Sequence, residues 1–370
     1  MVRRQTKLII QIPCLNEESQ LPTALGDLPR EVAGVDVVEW LIIDDGSTDA
    51  TIEVARWHGV DHIVKFPQNR GLAAAFQAGL DASLKLGADY IVNTDADNQY
   101  DASAIPSLVK PLIDGTADMV IGDRDVRSVE EFSAIKKQLQ LLGSWVVNKA
   151  SGASVGDTTS GFRGYSKQAA LQLTVVSPYT YTIESIIQAG RSRTAIANVP
   201  VGTNDKMRES RLFGSTWSYI RRNAGTITRV FAAYEPMKFF GLIAAIMLTL
   251  SVVGYTPYLW DWIVNGDRGG HVQSLIIASI LFVGALQIAL VAVLADMMRN
   301  LRVVSQRTLE RVRMLEIQLT VEPDYIEVTA PEGSEERRSS PETLDEALPA
   351  IPDTAQSVEG EGLSAASGTP

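Results

Sequence analysis

The chain has 370 residues, 45% of them hydrophobic, one cysteine, three histidines and a formal net charge of −11. Cys14 alone excludes an intramolecular disulfide and a cysteine zinc cluster, and His58, His62 and His271 are too few for histidine-rich metal chemistry. The charge says little about partners of the folded part, because twelve carboxylates and two arginines lie from Glu322 onward; no basic stripe interleaved with aromatics suggests a nucleic-acid partner.

Arg3, Arg4 and Lys7 precede an apolar run, Leu8 to Ile12, that is too short for a signal peptide and leads into Pro13, so the N-terminal half is expected to stay cytosolic. The same run reads as a first strand. A helix is expected from Glu17 to about Leu28, then a second strand from Val37 to Ile43 that ends in Asp44-Asp45-Gly46-Ser47-Thr48-Asp49. Ser47, Thr48 or Asp49 is placed to cap a helix running through Val54 and Arg56. A short strand over His62–Phe66, an alanine-rich helix over Leu72–Leu86, and strands over Tyr90–Thr94 and Met119–Gly122 complete the alternation. Strands alternating with helices argue for an α/β layer with a largely parallel sheet, whose ligands bind at the carboxyl ends of the strands. Residues 130–150 read as an amphipathic helix, and 157–200 as mixed structure.

Trp217, Tyr219, Arg221, Arg222, Arg229, Phe231 and Tyr234 mix basic and aromatic side chains, as a helix at a membrane interface does. Two apolar runs follow, Phe239–Ile263 and Val272–Ala295, each near the 20 or so residues that cross a bilayer. Neither carries a charge suited to a transport pathway. Tyr255, Tyr258, Trp260 and Trp262 cluster at the far end of the first as an aromatic belt. Arginines outside the hairpin, Arg221, Arg222 and Arg229 before it and Arg299, Arg302 and Arg307 after it, outnumber the lone Arg268 of its loop, which predicts cytosolic flanks. The expected divisions are a domain over 1–212, an interfacial helix over 213–236, two spans over 237–297, a cytosolic helix over 298–323 and a disordered acidic tail over 324–370. Removing the residues after Asp324 is expected to leave any activity unchanged. Two spans alone make a small bundle that would pack better in a homo-oligomer.

Asp95-Ala96-Asp97 follows the apolar run of the fourth strand. In a strand, residues i and i+2 point the same way, so this pair would share one divalent cation. Hard cations such as Mg2+ and Mn2+ take oxygen ligands and share them with phosphates, which points to a nucleotide diphosphate. A solvated acidic turn is the plain alternative for a lone D-x-D, but Asp44-Asp45 falls on the same sheet edge.

Five segments together carry a resemblance: Ile12-Pro13-Cys14-Leu15-Asn16-Glu17-Glu18, Asp44-Asp45-Gly46-Ser47-Thr48-Asp49, Asn69-Arg70-Gly71, Asp95-Ala96-Asp97-Asn98-Gln99 and Ser160-Gly161-Phe162-Arg163. In this order and spacing they resemble the motifs of family 2 glycosyltransferases with the GT-A fold, a Rossmann-like, mostly parallel sheet, and within them the polyprenyl-phosphate (dolichyl-phosphate) mannosyl- and glucosyltransferases. The resemblance implies an inverting enzyme anchored in the plasma membrane with its domain and both termini cytosolic. It would move mannose or glucose from a nucleotide diphosphate sugar, GDP-mannose or UDP-glucose, to a polyprenyl phosphate.

Pro13, Glu17 and Asp45 are then expected around the nucleotide, and Asp95, Asp97 and Gln99 around Mg2+ or Mn2+ and the sugar nucleotide. Asp157 matches an aspartate given a catalytic role in such enzymes, ahead of Glu184. Arg124, Arg163, Arg208, Arg211 and Ser210 are candidates for the acceptor phosphate, Arg124 first, since arginine's fork of N–H groups suits phosphate oxygens. Lys136 and Lys137 stand where related enzymes often have an arginine, and Met207-Arg208-Glu209-Ser210-Arg211 matches the basic loop only loosely. A Gln-x-x-Arg-Trp motif of processive synthases is absent. The other readings are a glycosyltransferase for a different lipid or cell-surface glycan, and a non-catalytic scaffold working through the acidic tail.

Overall fold

The computed structural model describes residues 5–124, 143–145, 147–149, 151–175, 181–204, 235–266 and 271–328, with 225, 228, 231 and 232. In chain order the elements are β1 (Lys7–Cys14), α1 (Leu21–Asp27), β2 (Val37–Asp44), α2 (Thr51–Trp57), β3 (His62–Lys65), α3 (Leu72–Lys85), β4 (Tyr90–Asn93), α4 (Ile105–Ile113), β5 (Met119–Asp123), β6 (Arg163–Ser166), α5 (Lys167–Gln172), α6 (Thr182–Arg191), β7 (Ile196–Pro200), α7 (Pro236–Trp260), α8 (Val272–Gln318) and β8 (Ile326–Val328).

The strands form one sheet in the order β7-β5-β6-β4-β1-β2-β3-β8. β1 pairs parallel with β2 and β4, β2 with β3, and β5 with β7. β6 runs antiparallel between β4 and β5. All five expected strands are present, each within two residues of its expected bounds. β6 was not foreseen as the strand that separates the last two.

Side chains alternate across the sheet, as strand geometry requires. Leu8, Ile10 and Ile12 of β1 join one apolar core with residues of α1, α2 and α4; Ile9 joins the other with residues of α3, α5 and α6. Each such side chain contributes roughly 1.5–3 kcal/mol through burial. Gly79 lets α3 lie against the sheet, since a Cβ there would meet Gln11 Oε1 at 2.7 Å.

The first helix starts at Leu21 rather than Glu17. Its expected first turn is drawn off by side chains of the next loop: Asn16, Glu17 and Glu18 donate their N–H groups to Ser47, Thr51 and Asp49. Pro22 then falls in the first turn, where a missing N–H costs no helical bond. None of the three capping candidates is the N-cap of α2: that position is Ala50, with no side-chain cap bond, although Asp49 just before it takes the Thr51 N–H at 3.1 Å.

α7 and the first half of α8 are long and apolar enough to cross a membrane, with mean hydropathy of 2.0 and 2.6 over their most apolar stretches. Only 11% and 17% of those stretches are buried, so they are not core helices; Leu242, Ile246, Leu250, Ile276, Ile280 and Leu290 stay exposed. They pack on each other through small and hydroxylic residues. Ser251 donates to Ala278 O at 2.7 Å, Tyr255 and Ser279 hydroxyls lie 3.0 Å apart, and a Cβ on Gly254 would sit 3.2 Å from that of Ala278.

The second span and the expected cytosolic helix are one continuous helix of 47 residues. Its last turns return to the α/β domain. Arg313 pairs with Asp81 at 2.9 Å and donates to Leu171 O and Leu173 O at the end of α5. The tail expected to be disordered from 324 instead begins with β8, which adds antiparallel to β3 at the sheet edge. Residues 329–370 lie outside the described residues, as do most of the expected interfacial helix, Lys136 and Lys137.

Candidate active site

The carboxyl ends of β1, β2 and β4 carry the candidate residues, and hydrogen bonds lace their loops together. Asn16, in the left-handed region at φ 54°, accepts the Thr48 N–H at 2.9 Å, and Glu18 accepts that of Ala50 at 2.9 Å. Pro13 is buried as the last but one residue of β1, and Glu17, just past it, is nearly buried. Asp44 accepts the Ser47 N–H. Asp45 takes the Arg70 N–H at 2.7 Å and the Gly71 N–H at 2.9 Å, so both its oxygens fix the Asn69-Arg70-Gly71 loop. Burial nevertheless raises the Asp45 carboxyl above its ordinary value, helped by Asp44.

β4 ends at Asn93, and the acidic pair lies just beyond it, in a turn rather than on the strand itself. Burial still alternates there. Thr94, Ala96 and Asn98 are buried, while Asp95, Asp97 and Gln99 are half-buried. Asn98, at φ 53°, tethers the turn by donating to Asp27 at 2.7 Å, and Asp97 accepts the Gln99 N–H at 3.2 Å. Among the described residues no donor reaches the Asp95 carboxylate. Its pKa is pushed up to about 7, first by burial and then by Asp97, against the pull of Arg124 and Arg163. Gly161 closes over it: a Cβ there would stand 2.7 Å from Asp95 Oδ2.

Two half-buried carboxylates, one without a hydrogen-bond donor among the described residues, fit a hard divalent cation. Among the described residues no group of three or more His, Cys, Asp or Glu is arranged for one. Such an ion would therefore have to complete its shell with oxygens from elsewhere, as ions that share phosphate ligands do.

Asp157, expected as a catalytic carboxylate, is wholly buried and hydrogen-bonded on both oxygens. Its Oδ2 accepts from Arg124 Nε at 2.6 Å, and its Oδ1 from the Thr159 N–H, the Thr159 hydroxyl and the Ser160 N–H. Burial works to raise its pKa, but Arg124 outweighs it and holds the group below the ordinary carboxylate range. Buried against Arg124, Asp157 holds that guanidinium in place through their ion pair. Arg124 also donates from Nη2 to Thr159 at 3.2 Å and lies 5.5 Å from the Tyr100 ring centre; its Nη1 makes no hydrogen bond among the described residues.

Arg163, expected at the acceptor phosphate, is fully buried, and its guanidinium is committed to Ser160 O, Thr182 O, Ser185 Oγ and Thr158 O. It pins the 157–162 loop to α6 and is unavailable to a ligand. Glu184 is nearly buried on α6. Arg208, Ser210 and Arg211 lie outside the described residues.

A polar network under the turn went unread in the sequence. Gln11 donates to Asn93 Oδ1 at 2.9 Å, and Asn93 donates to Gly161 O at 2.9 Å and Tyr181 Oη at 3.0 Å. Tyr100 accepts the Gly161 N–H at 2.9 Å while stacking on Phe162, and Tyr181 stacks on Phe76. Both peptide groups of Gly161 are thus held, which sets how closely it approaches Asp95. The available signal was a lone Gln inside the strand Leu8-Ile9-Ile10-Gln11-Ile12 and an Asn closing Tyr90-Ile91-Val92-Asn93: buried polar residues need partners.

A mostly parallel sheet with an acidic turn at its carboxyl edge is the arrangement expected of the GT-A fold. Residues 9–173 match the family model described as Glycosyl transferase family 2. The protein is a glycosyltransferase.

It is similar to an undecaprenyl-phosphate mannosyltransferase of Micrococcus luteus, 28% identical over 219 residues that cover 56% of this chain and 88% of the relative. A dolichyl-phosphate hexose transferase of Haloferax volcanii is 27% identical over 205 residues, covering 55% and 86%. Glycosyltransferase AglJ of the same organism is 25% identical over 323 residues, covering 83% and 97%. Among solved structures, a glucosyl-3-phosphoglycerate synthase of Mycobacterium tuberculosis aligns with a TM-score of 0.48 and 22% identity over 62% of this chain and 80% of that one.

Proposed function

We propose that the protein transfers a hexose, mannose or glucose, from a nucleotide diphosphate sugar to a polyprenyl phosphate, with inversion. The catalytic domain and both termini would lie on the cytosolic side of the plasma membrane. The observation that carries this is the Asp95/Asp97 turn at the carboxyl edge of a sheet whose chain continues into a hairpin long and apolar enough for a bilayer. Relatives whose names specify undecaprenyl-phosphate mannosyl transfer and dolichyl-phosphate hexose transfer support the acceptor class.

Asp95 and Asp97, with Gln99 beside them, would hold Mg2+ or Mn2+, whose charge when bound neutralises the departing diphosphate. Pro13, Glu17 and the loop fixed by Asp45 would frame the nucleotide. An oxygen of the acceptor phosphate forms the new bond to the anomeric carbon while the bond to the nucleoside diphosphate breaks and its electron pair leaves with the diphosphate. A phosphate monoester is ionised near neutral pH, so the step needs no general base, in keeping with an Asp157 engaged by Arg124. Arg124, oriented by Asp157, would direct Nη1 at the acceptor phosphate; Arg208 and Ser210 remain further candidates for it.

The test is transfer by the purified full-length protein in detergent, with Mg2+ or Mn2+, a panel of nucleotide sugars and polyprenyl phosphate. A labelled lipid-phosphate sugar is expected, and Asp97→Ala should lower its formation at least a hundredfold. Full activity in that variant, or transfer only to another lipid or glycan, would overturn the reading.

A further inference from the structure

The arm beyond α8 has no part in the transfer chemistry, yet it grips a loop of the same sheet edge. Tyr325 precedes β8, and its carbonyl accepts the Lys65 N–H at 3.0 Å. Its ring meets Phe66 edge-on at 5.9 Å. The Arg70 guanidinium lies over both rings, 4.9 Å from the centre of Phe66 and 5.2 Å from that of Tyr325, and Nη2 reaches the Tyr325 hydroxyl at 3.4 Å.

Arg70 is therefore held twice, by its backbone N–H on Asp45 and by its side chain between two aromatic rings. A guanidinium over an aromatic face is drawn to the ring's negative electrostatic face. The loop has no slack beneath it: a Cβ on Gly46 would fall 2.7 Å from the Asn69 nitrogen.

The end of α8 that leads into the arm is firmly seated. Besides the buried Arg313, Lys85 pairs with Glu316 at 3.5 Å, and Gln168 donates to Glu310 at 3.0 Å. Tyr325 sits at φ 60°, a left-handed conformation that is uncommon for an aromatic residue and persists where the surroundings enforce it. Thr320, at φ 55°, makes the other sharp bend of the arm.

We propose that Tyr325 is a positioning residue for the donor site: it clamps Arg70 and so keeps the 66–71 loop seated on Asp45, which sets affinity for the nucleotide sugar rather than the rate of the chemical step. The proposal rests on the proposed hexosyl transfer for the identity of the ligand. The clamp itself rests on geometry alone.

The experiment uses the full-length protein in detergent with Tyr325→Ala and Tyr325→Phe. Hydrogen exchange is followed at the Arg70 and Gly71 amides, and KM for the nucleotide sugar is separated from kcat. Tyr325→Ala should speed exchange at both amides at least tenfold and raise KM several-fold, with kcat within twofold of the parent. Tyr325→Phe keeps the ring that Arg70 and Phe66 touch, so it should match the parent in both readouts. Unchanged exchange in Tyr325→Ala, or a fall in kcat at constant KM, overturns the proposal. Faster exchange in a protein that transfers no sugar at all upholds the clamp and refutes the donor reading instead.

Discussion

At the level of single residues, the acidic turn holds a carboxylate under unfavourable conditions. Asp95 is half-buried, close to Asp97 and without a donor among the described residues, and its pKa stands near 7. An acid whose folded pKa is raised above its ordinary 3.8 makes folding less favourable as pH climbs from about 4 to 7, after which the penalty is constant. Asp95→Asn removes that slope. In chelator at pH 8 the variant should unfold about 1–3 kcal/mol less readily than the parent, by denaturant titration, with the advantage gone at pH 4. It should also lose sugar transfer, which separates a functional carboxylate from a structural one. The pair was legible because two charges directly follow an apolar strand. The burial of Asp157 and Arg163 was not legible. Their spacing in the motif is visible in sequence, whereas the inward turn of a guanidinium onto four oxygens depends on where α6 packs.

Among elements, the apolar strands were the most readable, because a continuous run such as Leu41-Ile42-Ile43 can be buried on both faces only inside a covered parallel sheet. The start of α1 was misread, since the bonds that forestall a first turn come from residues some 31 to 34 positions away. β6 escaped notice for a related reason. Its four residues, Arg163-Gly164-Tyr165-Ser166, have little β pattern, and their place is set by neighbours on both sides. The α7–α8 contact was legible only as an interruption at Gly254, where the structure shows a close crossing. Gly254→Leu should push the helices apart at Ala278 and lower the thermal midpoint of the detergent-solubilised protein by several degrees. An unchanged midpoint would mean the two helices do not rely on that crossing.

Taken whole, the molecule returns on itself. The chain leaves the α/β domain, makes a hairpin, and comes back to add its last described strand to the sheet it started from. Charge and composition foretold the hairpin and the acidic tail, but not the return. Asp324 reads as the start of a dispensable segment because Glu, Pro and Ser dominate the residues after it; the three residues of β8 are too few to stand out in such company. The boundary for harmless truncation therefore moves past Val328.

The unbroken course of α8 has a metrical consequence. A helix of 47 residues is about 70 Å long at 1.5 Å per residue, and it has one end in the hairpin and Arg313 seated near the other. With the hairpin in a bilayer, that helix acts as a gauge rod that fixes how high the cleft stands above the lipid headgroups. One residue inserted between Val304 and Glu310 would turn Arg313 about 100° off its seat. Seven would bring it back to within about 20° while lifting the domain about 10 Å. The seven-residue insertion should leave the domain folded, by circular dichroism, and still able to bind nucleotide, yet cut transfer to a membrane-embedded acceptor far more than transfer to a short, water-soluble one.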